Sequence, residues 1–287
     1  MIARKTSFIL FCMVFLTLAV CTMAELPRDQ LFDLFDQANE AFRQANSMAG
    51  DPQAEKLYAK AILSYERIIN EGRIENAKLF YNLGNAYFLK EDIGKAILNY
   101  RRAERLSGSD ADIQKNLDFA RSRRIDKITP KTQERVLETL FFWHYDFSLR
   151  TKFTLACLFF AAACICVTVM IWLGRTPLPM FIAVISAVLM LCFAASVAVE
   201  SWLTAETVCG VITAQDVVGR QGDGQSYPES FKDPLHAGTE FDLLEHRPGW
   251  FHIELSDGSD SWIPDNSAEL IFGDFSSIIG VLTPERS

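Results

Sequence analysis

The chain has 287 residues, a formal charge of −8, 49% hydrophobic and 12% aromatic residues, and a mean hydropathy of +0.10. Its 22 Phe and 5 Trp exclude a wholly disordered chain, and its acidic balance disfavours non-specific nucleic-acid binding, which needs dense Lys and Arg against phosphate. A mean hydropathy just above zero fits neither an ordinary soluble enzyme nor a polytopic transporter, so the apolar residues must be concentrated in particular segments.

Arg4 and Lys5 precede an apolar run over 8–20, which small Ala24 and polar sequence from Glu25 follow. This is the order of a secretory signal and predicts cleavage after residue 24. The run is short for a membrane span. Arg4 and Lys5 stay cytoplasmic on this reading, so residue 25 onward starts outside the cytoplasm.

Residues 30–120 carry apolar side chains at helical spacing. Within them, AKLFYNLGNAYFLKEDIGKAILNYRRAERLSGSD at 77–110 sets Phe80, Leu83, Gly84 and Tyr87 on one helix and Ala96, Tyr100 and Ala103 on a second. Small Gly84 and Ala96 let the helices approach, the three aromatic rings fill the space around the contact, and Asp92 is placed to cap the second helix. The pattern closely resembles a tetratricopeptide repeat, with Gly108 where that family usually closes on Pro. Ala61, Tyr65 and Ile68 repeat the Ala96–Tyr100–Ala103 pattern, with Ala38 and Phe42 on the first helix of an earlier unit. DADIQKNLDFAR at 110–121 reads as a third first-helix or as a terminal cap carrying Ile113, Leu117 and Phe119. The expectation is an all-α tetratricopeptide-repeat solenoid over 25–122. The resemblance implies a concave groove for protein segments, lined here by Lys78, Tyr81, Asn85, Phe88 and Leu89. The alternative for Asn82 and Asn85 is that they only cap or bridge helices.

A basic linker over 123–152 follows. Together with Arg121 it supplies eight cations, among them Arg123, Arg124, Lys127, Arg150 and Lys152, which could lie against anionic headgroups. Residues 153–173 and 179–199 are then free of Asp, Glu, Lys, Arg and His, and each is long enough to cross a hydrocarbon core as a helix. A connector at 174–178 joins them, and Trp172 and Trp202 lie near block ends, where aromatic rings favour the interface. Spans without ionisable groups read as an anchor rather than a transport pathway. Two spans put the flanking domains on one side, and the signal makes that side extracytoplasmic. A count of cations near the spans points the other way, but that rule weakens for long translocated domains.

After Glu200 the period changes to short β-branched runs separated by turns, notably Arg247-Pro248-Gly249 and Asp257-Gly258. Leu235, Gly238, Thr239, Trp250, Ile253, Leu255, Gly258, Trp262, Ile263 and Pro264 carry a resemblance to a bacterial SH3-like domain. This predicts an all-β barrel over 206–272 with a tail at 273–287. Ile253 and Leu255 alternate inward, the Trp262–Pro264 run closes the barrel edge, and Trp250 and Trp262 could form an aromatic binding surface. Relatives of such domains bind cell-wall peptides or act as spacers. Gly219-Arg220-Gln221-Gly222 departs from that family's usual first hairpin.

No catalytic motif, phosphate-binding loop or metal-ligand spacing is present, so the chain is not read as an enzyme and no metal or cofactor is expected. Cys209 alone would lie outside the signal and the spans, and one cysteine makes no internal bridge. The order of signal, repeats, two-span hairpin and SH3-like domain resembles BatE-type proteins, the aerotolerance group of bacterial membrane proteins, as does NLDFAR at 116–121. That resemblance implies an inner-membrane scaffold or adaptor beside von Willebrand A-type membrane proteins and a MoxR-type ATPase. The alternative is an envelope sensor whose SH3-like domain binds peptidoglycan or wall peptides.

Overall fold

The computed structural model describes residues 26–48, 50–108, 110–129, 147, 149–174, 177–206 and 208–272. The signal at 1–24, most of the linker 123–152, part of the connector and the tail 273–287 lie outside the described residues. Seven α-helices and seven strands are described: α1 (Arg28–Ser47), α2 (Pro52–Asn70), α3 (Ala77–Leu89), α4 (Ile93–Leu106), α5 (Ala111–Ser122), α6 (Leu149–Leu173), α7 (Pro177–Glu206), β1 (Val208–Ile212), β2 (Asp216–Val217), β3 (Leu235–His236), β4 (Glu240–Arg247), β5 (Trp250–Leu255), β6 (Asp260–Pro264) and β7 (Ala268–Leu270). The chain divides into two compact units between Glu75 and Asn76.

The first unit is a helical hairpin. Asp51 caps α2 by accepting from the Gln53 N–H at 2.7 Å, with Pro52 at the first helical position. The Tyr65 hydroxyl donates to Asn39 Oδ1 at 2.7 Å and the Tyr58 hydroxyl to Asn46 Oδ1 at 2.8 Å. Residue 39 thus meets 65 while 46 meets 58, so α1 and α2 run antiparallel. Buried Ala38, Ala41, Ala45 and Ala61 keep the two backbones close.

The second unit opens with another such hairpin. Asn76 caps α3 through the Lys78 N–H, and Asp92 caps α4 through the Lys95 N–H at 3.1 Å, as expected for Asp92. The Tyr100 hydroxyl donates to Asn85 Oδ1 at 2.7 Å. A Cβ at Gly84 would stand 2.7 Å from the Tyr100 ring, so only glycine lets α4 come this close. Asp110 caps α5, whose Ile113, Leu117 and Ala120 are buried, while Phe119 stays half exposed.

α6 and α7 start four and two residues earlier than the apolar blocks, at Leu149 and Pro177, taking in Leu149–Lys152 and Pro177-Leu178. Gly174 ends α6 at φ +84°, a left-handed position that glycine takes without steric cost. The most apolar stretch of α6 is unburied and that of α7 is 17% buried. Phe159 stacks on Phe193 of the facing helix at 5.9 Å between ring centroids. Both helices are long and apolar enough to cross a membrane.

The C-terminal domain is an open five-stranded antiparallel sheet in the order β6-β5-β4-β1-β7, with β2 and β3 forming a separate two-stranded ladder. The predicted closed barrel is therefore corrected: β6 and β7 are opposite edges and do not pair with each other. Closure needs hydrogen bonds between the edges, and β7, of three residues, pairs only with β1. Phe251, Ile253 and Leu255 alternate inward along β5, as expected of Ile253 and Leu255. Gly249 at φ +85° and Gly258 at φ +80° make the two predicted turns possible. Ile128, from the segment expected to be linker, packs against this core.

Candidate functional site

Two surfaces and one internal junction carry the chemistry. The first surface is the outward side of α3. Lys78 and Leu89 are exposed there. The other three expected groove residues are half buried against α5. Asn116 Nδ2 donates both to the Tyr81 hydroxyl at 2.9 Å and to Asn85 Oδ1 at 3.0 Å. Phe88 meets Phe119 at 5.3 Å between centroids. Asn85 thus bridges α3, α4 and α5, with Tyr100 donating to the same oxygen. Burial holds the Tyr100 hydroxyl above the usual phenol range.

The second surface lies on the sheet. Trp250 and Pro264 wall a cleft of about 180 Å³ whose rim carries Asp216, Arg220 and Gln225. The cleft is smaller than sites that enclose drug-sized molecules, so it suits one side chain or a chain end. Trp262 does not line it. The Trp262 ring stacks on His252 at 4.6 Å, Arg247 lies 4.7 Å from it, and its exposure is 8%. The two tryptophans therefore do not form one aromatic patch. His252 is drawn to Asp260 at 2.9 Å, and Asp257 accepts from Ser259. Among the described residues, no three His, Cys, Asp or Glu side chains converge as metal ligands.

The junction joins the helices of the second unit to the sheet, and it was not expected from the sequence. Arg121 grips Glu240 with two parallel bonds, Nε to Oε2 at 2.9 Å and Nη2 to Oε1 at 2.8 Å. Arg124 donates to Glu240 at 3.1 Å, and Arg101 Nε lies 3.2 Å from it. Glu104 beside Arg101 and Asp118 beside Arg121 bring the cluster to three cations and three anions. Burial by itself would raise the Glu240 carboxyl. The Arg121 bonds and the charges of Arg121, Arg101 and Arg124 outweigh it and hold the group below the usual carboxylate range.

A second contact lies beside it. Asp126 accepts from the His236 N–H and the Thr239 hydroxyl, both at 2.7 Å, and its other oxygen is 2.7 Å from His236 Nδ1. Burial opposes these bonds, which nevertheless depress the Asp126 carboxyl. Arg102 donates to the carbonyls of Leu270 and Ile271 at 3.0 Å, covering the end of edge strand β7. Backbones meet here too. A Cβ on Gly94 would stand 2.9 Å from the Ile212 carbonyl, and one on Gly238, at φ +94°, would stand 3.0 Å from Ile97. Arg121 and Arg124, expected to face headgroups, are instead committed to Glu240. The available signal was an arginine-rich α4–α5 stretch in an acidic chain. Nothing in the spacing pointed to Glu240 as its partner.

Cys209 is the one cysteine outside the long helices among the described residues, and burial, with Asp242 adding, pushes its thiol up to about 12. No protein-family model matches the chain, and no curated protein matches it.

Proposed function

We propose that the chain is a membrane-anchored scaffold, not an enzyme, that binds partner proteins through tetratricopeptide-type helical hairpins. On this reading the hairpins stack as a solenoid, the sheet is an SH3-like module, and both lie on the outer face of a bacterial inner membrane. The observation that carries it is a duplicated building plan. In the first hairpin an aromatic ring, Phe35, lies 6.3 Å from Tyr65, whose hydroxyl binds Asn39. In the second, Tyr81 lies 6.0 Å from Tyr100, whose hydroxyl binds Asn85. Repeated units of one plan are what repeat proteins use to build extended concave binding surfaces. The BatE-type resemblance makes von Willebrand A-type membrane proteins and a MoxR-type ATPase the partners to look for.

The test uses the exposed positions, because Tyr81 and Asn85 also hold helices together. Lys78→Glu with Leu89→Asp, in full-length protein captured from solubilised membranes, is expected to lose at least one envelope protein that the wild type retains. Unchanged capture of every partner removes α3 as the binding face. A second reading is favoured by the Trp250 cleft: an envelope sensor that takes a peptidoglycan peptide end between Trp250, Arg220 and Asp216. Sedimentation of the detergent-solubilised chain with purified sacculi, lost in Trp250→Ala, is its expected result. No sedimentation of the wild type ends it.

A further inference from the structure

The helices of the second unit and the sheet are separated in sequence by the membrane hairpin, yet they meet through a buried, charge-balanced cluster. We propose that the Glu240 cluster is a clasp that closes the chain around its own membrane hairpin, with the α4–α5 face as a protein-binding surface whose partner is the turn 236–240 of the same chain.

Three independent features fit this surface to that turn. Charge is matched: Arg101, Arg121 and Arg124 surround one carboxylate, and a bidentate arginine admits few other geometries. Polarity is matched: Asp126 satisfies the His236 backbone N–H and the Thr239 side-chain hydroxyl together. Shape is matched: Gly94 and Gly238 both stand where any Cβ would strike the opposing side. A casual contact between tethered domains needs none of these. Removing one partner from such a cluster leaves uncompensated charge, so the arrangement specifies one docked geometry.

The consequence concerns the membrane. A single residue, 207, separates α7 from β1, so the sheet follows the second apolar helix almost directly. With the clasp closed, α4–α5 before the hairpin and the sheet after it are held together. The clasp can form only when repeat and sheet lie on the same side, and it denies the α4–α5 face to outside partners. The clasp stands whether or not α3 binds a partner, so the capture experiment and the tests below fail independently.

Hydrogen exchange at 236–240 in the full chain decides it, measured in Arg121→Ala, Glu240→Ala, the double variant and Gly94→Val, whose Cβ would stand 2.9 Å from the Ile212 carbonyl. Each single change is expected to speed exchange at least about tenfold, and the Arg121→Ala/Glu240→Ala double variant no more than Glu240→Ala alone, because Arg121 acts on the turn through Glu240. Unchanged exchange, or effects that simply multiply, overturns the clasp.

Discussion

The two helical hairpins share a plan and differ in how they are held. In α1–α2 the packing position is Ala38, which is fully buried and carries a Cβ. In α3–α4 the corresponding position is Gly84, because the Tyr100 ring lies where a Cβ would go. The first hairpin rests within its own unit on tyrosine–asparagine bonds and small residues. The second adds α5 through Asn116 and the sheet through Glu240 and Asp126. One local pattern therefore supports two levels of organisation, and the added level comes from charge rather than from a larger apolar core.

The largest expected effect separates Ala38 from Gly84. Gly84→Val should destabilise the second unit by about 3 kcal/mol through overpacking, whereas Ala38→Gly should cost the first only about 1 kcal/mol of helix propensity. Thermal unfolding in detergent followed by segment-resolved hydrogen exchange measures both. Equal effects on the two hairpins would mean that the close approach at Tyr100 is unimportant.

Next is the sheet junction. Asp126→Ala removes the acceptor of two bonds from the turn, and about 2 kcal/mol of docking should be lost. Exchange protection should fall at 236–240 and stay unchanged in α1–α2. Loss of protection in both hairpins would contradict the separateness of the units.

Acid should distinguish the units in the same direction. Asp126 and Glu240 have folded values depressed below their ordinary ones. Their contribution is therefore fully present above the ordinary carboxylate range and disappears as pH falls through the folded values, below about pH 4. The first unit's Glu40 is lowered by Arg43 too, but that pair is exposed and screened, so its effect should be slight. Stability against pH, read by exchange at each unit, should show the sheet junction opening first. Acid loss confined to α1–α2 would reverse this ranking.

The smallest effects test the shared plan. Tyr65→Phe and Tyr100→Phe each delete one hydroxyl bond to an asparagine and should each cost about 1 kcal/mol in their own unit. A large effect at one and none at the other would break the equivalence of the hairpins.

Much of the local structure was legible in sequence because it rests on local rules. The 34-residue spacing located α3 and α4. Asp92 announced its cap, and Gly249 and Gly258 announced their turns. Uncharged blocks of about 20 residues announced α6 and α7, since a helix satisfies its own backbone and needs only length and apolarity to suit lipid. The sites were less legible. Lys78 and Leu89 are exposed, while Tyr81, Asn85 and Phe88 face α5, because a side chain's partner on a neighbouring helix is set by packing rather than by position in the repeat. Trp250 and Trp262 looked like a pair, yet adjacent strands send one to a cleft and the other beneath His252 and Arg247.

By itself, then, the sequence determined which segments are helix, strand, turn or apolar span, because periodicity, caps and hydropathy act over a few residues. Only the tertiary structure decided that the sheet stays open and that Arg121 and Arg124 answer to Glu240, more than 110 residues away in sequence. Such pairings depend on where folding places two distant surfaces. Charge complementarity, unlike hydrophobic period, leaves no regular mark along the chain.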